Sequence, residues 1–205
     1  MKKKQLLGFL LSGILFVTIL SACESKKTDD SKEAYGDLSD SMGDSKAMAD
    51  NENDKKFMDE GMRKDARFAV SAADGGMLEI ELGKLAETNA SSDVVKQFAQ
   101  HIVHDHGKGN EELQTIAHAN VISLPDAPSA KSRKEIDKFT QKKGEEFDKD
   151  YIDFMVKDHK EDIAEFEKEV DKGNNPELKA WALKTLPVLK QHLQMAEDTH
   201  NALKK

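Results

Sequence analysis

Residues 94–113 read VVKQFAQHIVHDHGKGNEEL, and this stretch indicates how the chain folds. On a helix that turns about 100° per residue, one face collects its apolar side chains and the nearby Ala117: Val95, Phe98, Ala99, Ile102, Leu113 and Ala117. His106 lies in the middle of this face, whereas His101 and His104 point away from it. A titratable ring on an apolar face needs a partner, because burying it unpaired costs about 1–3 kcal/mol. We therefore expect other helices to supply polar partners for His106.

The N-terminus has the layout of an export signal. Three lysines at positions 2–4 precede an apolar run over residues 6–20, which is short for a membrane span. The run leads into the letters LSAC at residues 20–23, which resemble the bacterial lipobox, where the peptide is cut before a cysteine that is then lipidated. We therefore predict a lipoprotein signal peptide over residues 1–22 and lipidation of Cys23. A plain secretory peptide or a signal anchor is the alternative.

Composition limits the classes of function. The chain has 205 residues, which suits one medium domain with appendages. Its formal net charge is −8 and would become −11 once three lysines left with the signal peptide. A chain this acidic is a poor candidate for binding nucleic acid or an anionic lipid surface. Cys23 is its only cysteine, which excludes an intramolecular disulfide. Because the acidic chain is poorly suited to an anionic lipid surface, membrane attachment would come from the acyl chains on Cys23.

The segment after the lipobox is poor in large apolar residues. Residues 23–54 consist mainly of Asp, Ser, Lys, Glu, Ala and Gly. Such a segment cannot bury enough apolar surface to offset the entropy lost on ordering. We predict a lipidated cysteine and a flexible acidic tether over residues 23–54, followed by the folded domain over residues 55–205.

Apolar residues recur with helical spacing through the predicted domain, and no segment alternates as a strand does. Ser91 is a suitable N-terminal signal for the second helix. We predict a short helix over residues 132–142 and four long helices, which span residues 55–89, 91–120, 145–172 and 175–203. The turns after the first and third long helices are short, which makes the joined helices antiparallel neighbours. The sequence therefore predicts an all-α fold, an antiparallel four-helix bundle.

Each of the other long helices also carries a polar residue at the centre of its apolar face: Glu79, His159 and His192. At about 1.5 Å of rise per residue, counting from the connecting turns places Glu79 within roughly 6 Å of the level of His106. The same count places His159 within roughly 3 Å of the level of His192. We therefore expect the four side chains to meet inside the bundle.

Imidazole and carboxylate ligands together suit iron, zinc, copper or manganese, and bundle interiors often hold such sites. One interpretation is a single transition-metal ion bound by Glu79, His106, His159 and His192. The other is a metal-free network in which Glu79 pairs with histidines and fixes the helix register. The sequence leaves both open. The remaining histidines are predicted to lie at the surface: His101, His104, His118 and His200.

Four motifs occur in a specific order and spacing: GGMLEIELGKLA, SSDVVKQFAQHIVHDH, EFDKDYIDFMVKDH and LKAWALKTLPVLKQHL. With them the chain resembles the bacterial domain of unknown function 4142 family over residues 57–203. The resemblance implies a ferritin-like bundle exported to the envelope, without an established activity, and the family's usual description favours the outer membrane. The family's recurring polar positions fall on the same four residues, and on Asp148 and Tyr151, which we expect to support the ligands.

Di-iron carboxylate bundles use Glu-x-x-His pairs, but Val103, Val156 and Leu189 stand three residues before the histidines here. Asp105 and Asp162 are additional carboxylates at the edge of the site. The sequence therefore predicts a mononuclear site rather than a di-iron centre.

The functional prediction is a lipid-anchored envelope protein that faces the periplasm and handles a metal or protects the cell under stress, without catalysis. A structural or interaction protein, whose His/Glu network only stabilises the bundle, is the alternative. A small oxidase or peroxidase that uses the same ligands is a third. No protein partner is indicated by the sequence.

Overall fold

The computed structural model describes residues 43–204, which form six helices and no strand. The helices are α1 (Ser45–Lys56), α2 (Glu60–Asn89), α3 (Asp93–Ala119), α4 (Ala130–Thr140), α5 (Gly144–Lys172) and α6 (Pro176–Ala202). The all-α prediction is confirmed. The predicted signal peptide, Cys23 and most of the predicted tether lie outside the described residues. Within them, no helix combines the length and the apolar character that crossing a membrane requires.

The prediction that the tether extends to residue 54 was wrong for its last part, because α1 occupies residues 45–56. Asp44 caps this helix by accepting from the backbone N–H of Ala47. The buried Asn53 then donates to the carbonyl of Ser123 and accepts from its backbone N–H, both at 2.8 Å. Composition missed this helix because polar side chains, rather than a set of large apolar ones, attach it to the domain.

The first long helix begins later than predicted, at Glu60 instead of residue 55. The chain leaves the helical path after α1, and Asp59 caps the new helix by accepting from the N–H of Met62 at 2.9 Å. In contrast, the last helix begins where it was predicted, because Asn175 caps α6 by accepting from the N–H groups of Glu177 and Leu178.

The four long helices contact one another in a closed ring: α2 packs on α3 and α5, and α6 packs on the same two helices. Two hydrophobic clusters fill the space between them. The tyrosine cluster consists of Leu82, Ala86, Ala90, Val95, Phe98, Ala99, Ile102, Phe139, Phe147, Tyr151, Ile152, Met155 and Ala196. The tryptophan cluster consists of Ala66, Ala69, Ala73, Leu113, Ala117, Ile122, Phe166, Leu178, Trp181, Ala182, Leu186 and Leu189.

Every long helix contributes to both clusters, and in each helix the polar residue expected in the site lies between the two contributions along the chain: Glu79, His106, His159 and His192. A polar layer therefore interrupts the hydrophobic core where the four helices run side by side.

Buried aspartates hold the connections between helices. Asp148 of α5 accepts from the backbone N–H groups of Ser91 and Ser92, at 3.1 and 2.9 Å, so it caps α3 from another helix. The predicted N-terminal signal, Ser91, therefore does not cap α3 itself. Asp65 accepts in the same way from the N–H groups of Asn174 and Asn175. These cross-helix caps satisfy the N–H groups at helix starts and fix which ends lie together.

Candidate metal centre

Three histidine rings meet in the polar layer. The ring centres of His106 and His159 lie 5.7 Å apart, and that of His192 lies 5.4 Å from each of them. One nitrogen from each ring lies within 4.8 Å of the other two. His159 and His192 are buried, and the side chain of His106 is 10% exposed. Helices α3, α5 and α6 therefore each bring one imidazole to a common point.

Each of these rings has one nitrogen beside an oxygen. Nδ1 of His159 lies 3.1 Å from the carbonyl oxygen of Met155, and Nε2 of His192 lies 2.9 Å from Oδ2 of Asp105. Among the described residues, the other nitrogens of the three rings have no hydrogen-bond partner: Nε2 of His106, Nε2 of His159 and Nδ1 of His192. An oxygen that accepts from one ring nitrogen fixes the tautomer and leaves the lone pair of the other nitrogen available.

Glu79 lies beside the three rings and is fully buried. Its Oε2 atom is 2.8 Å from Nδ1 of His106, and its Oε1 atom is 3.3 Å from Nδ1 of His159. Neither oxygen makes a contact with hydrogen-bond geometry within the described part of the chain. A buried carboxylate whose oxygens lack hydrogen bonds is costly unless a cation or a proton neutralises it.

Two glycines allow α2 to approach α3 where Glu79 meets His106. A Cβ atom on Gly83 would lie 2.6 Å from Cγ2 of Val103 and 3.2 Å from the carbonyl oxygen of Ala99, and one on Gly76 would press on the side chain of Asn110. Gly76 and Gly83 stand three residues before and four residues after Glu79, so both lie on its side of the helix. The close helix contact follows from these small residues.

The geometry of the three rings suits a transition-metal ion. Metal–nitrogen bonds of about 2.1 Å place the centres of imidazoles roughly 5–6 Å apart around a tetrahedral or trigonal ion. The observed separations are 5.4 to 5.7 Å. A buried network that served only structure would pair its polar atoms with one another, and three ring nitrogens in the described residues are not paired in this way.

Burial sets the protonation of these groups. It lowers the pKa of all three histidines, and for His159 the neighbouring His106 and His192 add to the effect, so that its pKa falls to about 3. The neutral imidazole that results is the form that binds a metal. Burial also raises the pKa of Glu79 to about 8. Glu79 therefore keeps a proton near neutral pH until a cation takes its place.

A second group of carboxylates adjoins the histidines. One oxygen from each of Glu79, Asp158 and Asp162 lies within 4.8 Å of the other two. Asp162 is among the residues expected at the edge of the site, whereas Asp158 was not predicted there. It precedes His159 and lies about 100° from it around the helix, outside the apolar face from which the site was predicted. The i, i+4 spacing of Asp158 and Asp162, on one side of His159, is the signal that would have found it.

Asp105 contacts the site through His192, as described above, and its other oxygen lies 2.8 Å from Nδ1 of His104. The structure does not bring Asp148 to the site, because it caps α3 and lies eleven residues before His159, about 16 Å along the helix. Tyr151 is closer. Burial and the charge of Glu79 raise its pKa, and its hydroxyl would lie 3.8 Å from a Cβ atom placed on Gly83, in the turn of α2 after Glu79.

A cavity of about 40 Å³ opens beside the histidines, with room for roughly two or three water molecules. Its polar lining includes Glu79, Asp105, His106, Asp162 and His192, and Trp181 lies in its apolar wall. The remaining histidines lie apart from it. His101, His104 and His118 are exposed, and the half-buried His200 pairs with Asp153 at 3.1 Å.

The fold and the site define a class: an all-α protein with a buried layer of three imidazoles and adjoining carboxylates. Within that class, the chain belongs to the family described as Domain of unknown function (DUF4142), whose sequence profile matches residues 46–199. The resemblance seen in the sequence is thereby confirmed. A comparison with curated proteins found no match.

Two solved structures share the fold at low sequence identity. One is a DUF305 protein described as secreted, from Streptomyces coelicolor, with 13% identity and a TM-score of 0.60, covering 69% of this chain and 92% of that one. The other is a DUF305 fragment from Deinococcus radiodurans, with 12% identity and a TM-score of 0.60, covering 68% of this chain and 96% of that one. At these identities the likeness concerns the fold alone.

Proposed function

We propose that the protein is an envelope lipoprotein that binds a transition-metal ion through His106, His159 and His192, with Glu79 beside them. Its role is metal handling or protection under stress. Iron, zinc, copper and manganese all suit a site of imidazoles and a carboxylate. One observation supports this proposal above the others: three buried rings lie 5.4 to 5.7 Å apart, and each has a nitrogen without a partner among the described residues.

The bound ion would supply Lewis acidity at the centre of the protein. The residues of the chain would orient the ligand rings and balance the charge of the ion. Asp105 orients the ring of His192, the Met155 carbonyl orients that of His159, and Glu79 balances the charge of the ion. These carboxylates and carbonyls determine which nitrogen of each ring faces the metal.

The arrangement of the long helices belongs to the same proposal. The order of the tryptophan and tyrosine clusters along the chain reverses from α2 to α3 and again from α5 to α6. This reversal supports an antiparallel four-helix bundle of the ferritin-like type. The short connections of residues 90–92 and 173–175 agree with it.

The location proposed is the cell envelope, with Cys23 lipidated and the domain facing the periplasm, at the outer membrane. The lipobox-like letters at residues 20–23 support this anchor. Growth with a labelled fatty acid tests it. We expect the parent protein to become labelled and Cys23→Ala to lose the label, and labelling that persists in the variant would contradict the anchor.

Metal content is the decisive measurement. The full-length protein, purified in detergent without an affinity tag, is reconstituted in turn with iron, zinc, copper and manganese, and bound metal is measured by mass spectrometry. We expect a bound ion in the parent protein and none in the variant that carries His106→Ala, His159→Ala and His192→Ala. The matched control replaces three histidines outside the site: His101, His118 and His200. It should bind as the parent does, and a parent protein that holds no metal above background would overturn the proposal.

A reaction on a small substrate is the second candidate, favoured by the cavity of about 40 Å³ beside His106 and His192. Its volume suits a molecule of the size of water, dioxygen or peroxide. Consumption of peroxide or oxidation of Fe(II) by the reconstituted parent protein, absent in the triple histidine variant, would support an oxidase or peroxidase.

A further inference from the structure

The carboxylates beside the histidines form a group of their own. One oxygen from each of Glu79, Asp158 and Asp162 lies within 4.8 Å of the others, and these residues come from two helices, α2 and α5. None of them belongs to the set of mutually close histidine nitrogens. The polar layer therefore offers two adjacent sets of ligands, one of nitrogen and one of oxygen.

Glu79 connects the two sets. Its Oε2 atom lies 2.8 Å from Nδ1 of His106, and it is also a member of the carboxylate group. On α5, Asp158 and Asp162 lie on one side of His159, so the helix presents an imidazole to one set and two carboxylates to the other. The two sets thus lie side by side.

Ionising this group would place negative charge where the surroundings do little to stabilise it. Glu79 is fully buried, and neither of its oxygens makes a hydrogen bond within the described residues. Like charges this close, away from water, repel strongly. A cation between the three carboxylates would remove the repulsion and give Glu79 the partner that its buried oxygens lack.

We propose that Glu79, Asp158 and Asp162 bind a second ion, a hard divalent cation such as Mn²⁺, next to the ion at the three histidines. This inference rests on the proposed function, because it makes the centre a pair of ions of different chemistry. Oxygen ligands alone favour hard cations, whereas imidazoles favour zinc or copper. Asp158 and Asp162 are half-buried, which leaves space for the water ligands that such cations retain.

The experiment loads full-length protein in detergent with Zn²⁺ and titrates it with Mn²⁺, following free Mn²⁺ by electron paramagnetic resonance. We expect the parent protein to bind one Mn²⁺ per chain beside its Zn²⁺. The double variant Asp158→Asn, Asp162→Asn should bind Mn²⁺ at least about tenfold more weakly while it retains Zn²⁺. The matched control is Glu161→Gln, Glu165→Gln, which has the same spacing on the same helix and removes the same charge from exposed positions. It should bind both ions as the parent does.

Other outcomes separate the two proposals. Zn²⁺ binding without Mn²⁺ binding, or Mn²⁺ binding that the aspartate variant retains in full, would overturn the second site and leave the first. A parent protein that binds no Zn²⁺ or other transition metal would overturn the proposed function and this inference with it.

A second measurement needs no variant. With Cu²⁺ in place of Zn²⁺ at the histidines, the spectrum of bound Mn²⁺ should broaden, because two paramagnetic ions would be neighbours. An unchanged Mn²⁺ spectrum would mean that Mn²⁺ binds elsewhere and would overturn the inference.

Discussion

Asp105 shows how a residue outside the three rings can affect how tightly they would bind a metal ion. It is half-buried, and its Oδ2 atom lies 2.9 Å from Nε2 of His192. A carboxylate in this position keeps the proton on Nε2 and leaves the lone pair of Nδ1 available. Residues that orient metal-binding histidines usually matter almost as much as the histidines themselves.

We therefore expect Asp105→Ala to weaken metal binding by about 10- to 100-fold, because the His192 ring loses its orientation. Competition of the reconstituted protein with a chromogenic chelator for Zn²⁺ measures this change. The matched control is Asp153→Ala, which removes a carboxylate paired with a histidine, His200, outside the site. Equal affinities in the two variants would contradict the orienting role of Asp105.

Glu169 provides a pH test away from the candidate site. Burial, followed by the charge of Asp65, raises its pKa from 4.5 to about 7. The folded protein therefore holds this proton to a higher pH than the unfolded chain does, and stability falls as the pH rises from about 4.5 to about 7. We expect Glu169→Gln to remove this fall and to stabilise the protein by about 1–3 kcal/mol at pH 8.

Urea unfolding of metal-free protein at pH 5 and pH 8 measures the effect of this substitution. Glu167→Gln, at an exposed position paired with Lys190, should change stability little at either pH. If Glu169→Gln showed the same difference from the parent at both pH values, the raised pKa of Glu169 would be refuted.

Among the elements, the contact between α2 and α3 depends on glycine at one position and not at another. A Cβ atom on Gly83 would meet Val103 and the backbone of Ala99, whereas one on Gly75 would meet nothing within 4 Å. Both glycines lie inside α2, so helix propensity favours alanine equally at the two positions. The difference between the substitutions therefore measures the closeness of the helices.

We expect Gly83→Ala to destabilise the protein by about 1–3 kcal/mol, because the helices must move apart. Gly75→Ala should stabilise it by about 0.5–1 kcal/mol through helix propensity. Chemical unfolding of the two variants checks both signs. A stabilising Gly83→Ala would show that α2 and α3 do not pack as closely as described.

The position of each residue around its helix explains why the sequence predicts the three histidines of the candidate site. His106, His159 and His192 each lie at the centre of an apolar face, and the side chains that share that face are buried or half-buried. The helical angle of each residue is therefore enough to predict that the three rings point into the bundle. Phase alone does not find Asp158, because this side chain flanks the face. It does not find the caps made by Asp65 and Asp148 either, since these join residues far apart in the chain.

Composition fails where polar contacts hold a segment to the domain. Helix α1 has a polar sequence, and its buried residues are Ala49 and Asn53. Two hydrogen bonds between Asn53 and Ser123 attach it to the loop after α3. This pairing joins residues 70 positions apart in the chain, so no local sequence pattern predicts it.

At the scale of the molecule, the polar layer separates two hydrophobic clusters that every long helix joins. Apolar residues at the four central positions would have given a continuous core, so the layer costs stability in the absence of a cation. The negative charge of the whole chain, −8, draws cations towards the domain over roughly one Debye length, about 8 Å at physiological salt.

We therefore expect added Zn²⁺ to raise the thermal unfolding midpoint of the protein, by an amount equivalent to about 2.7 kcal/mol at a hundredfold excess over the dissociation constant. The increase should be larger at pH 8 than at pH 6. Glu79, with a pKa of about 8, keeps its proton at the lower pH, and the ion must displace this proton.

Calorimetry with and without Zn²⁺ at the two pH values measures this increase. The variant His106→Ala, His159→Ala, His192→Ala should show none. The same increase in that variant would place the stabilising ion elsewhere on the chain.

The burial of His159 also affects how long a bound ion would remain in the site. Its side chain is fully buried, and the small cavity beside the site is lined by His106 and His192 but not by His159. An ion bound by all three rings could leave only when helices separate locally, a motion far slower than diffusion of the ion itself. Its residence time would then follow the opening rate of the protein. Slow exchange of this kind suits a protein that retains an ion rather than one that passes it rapidly to a partner.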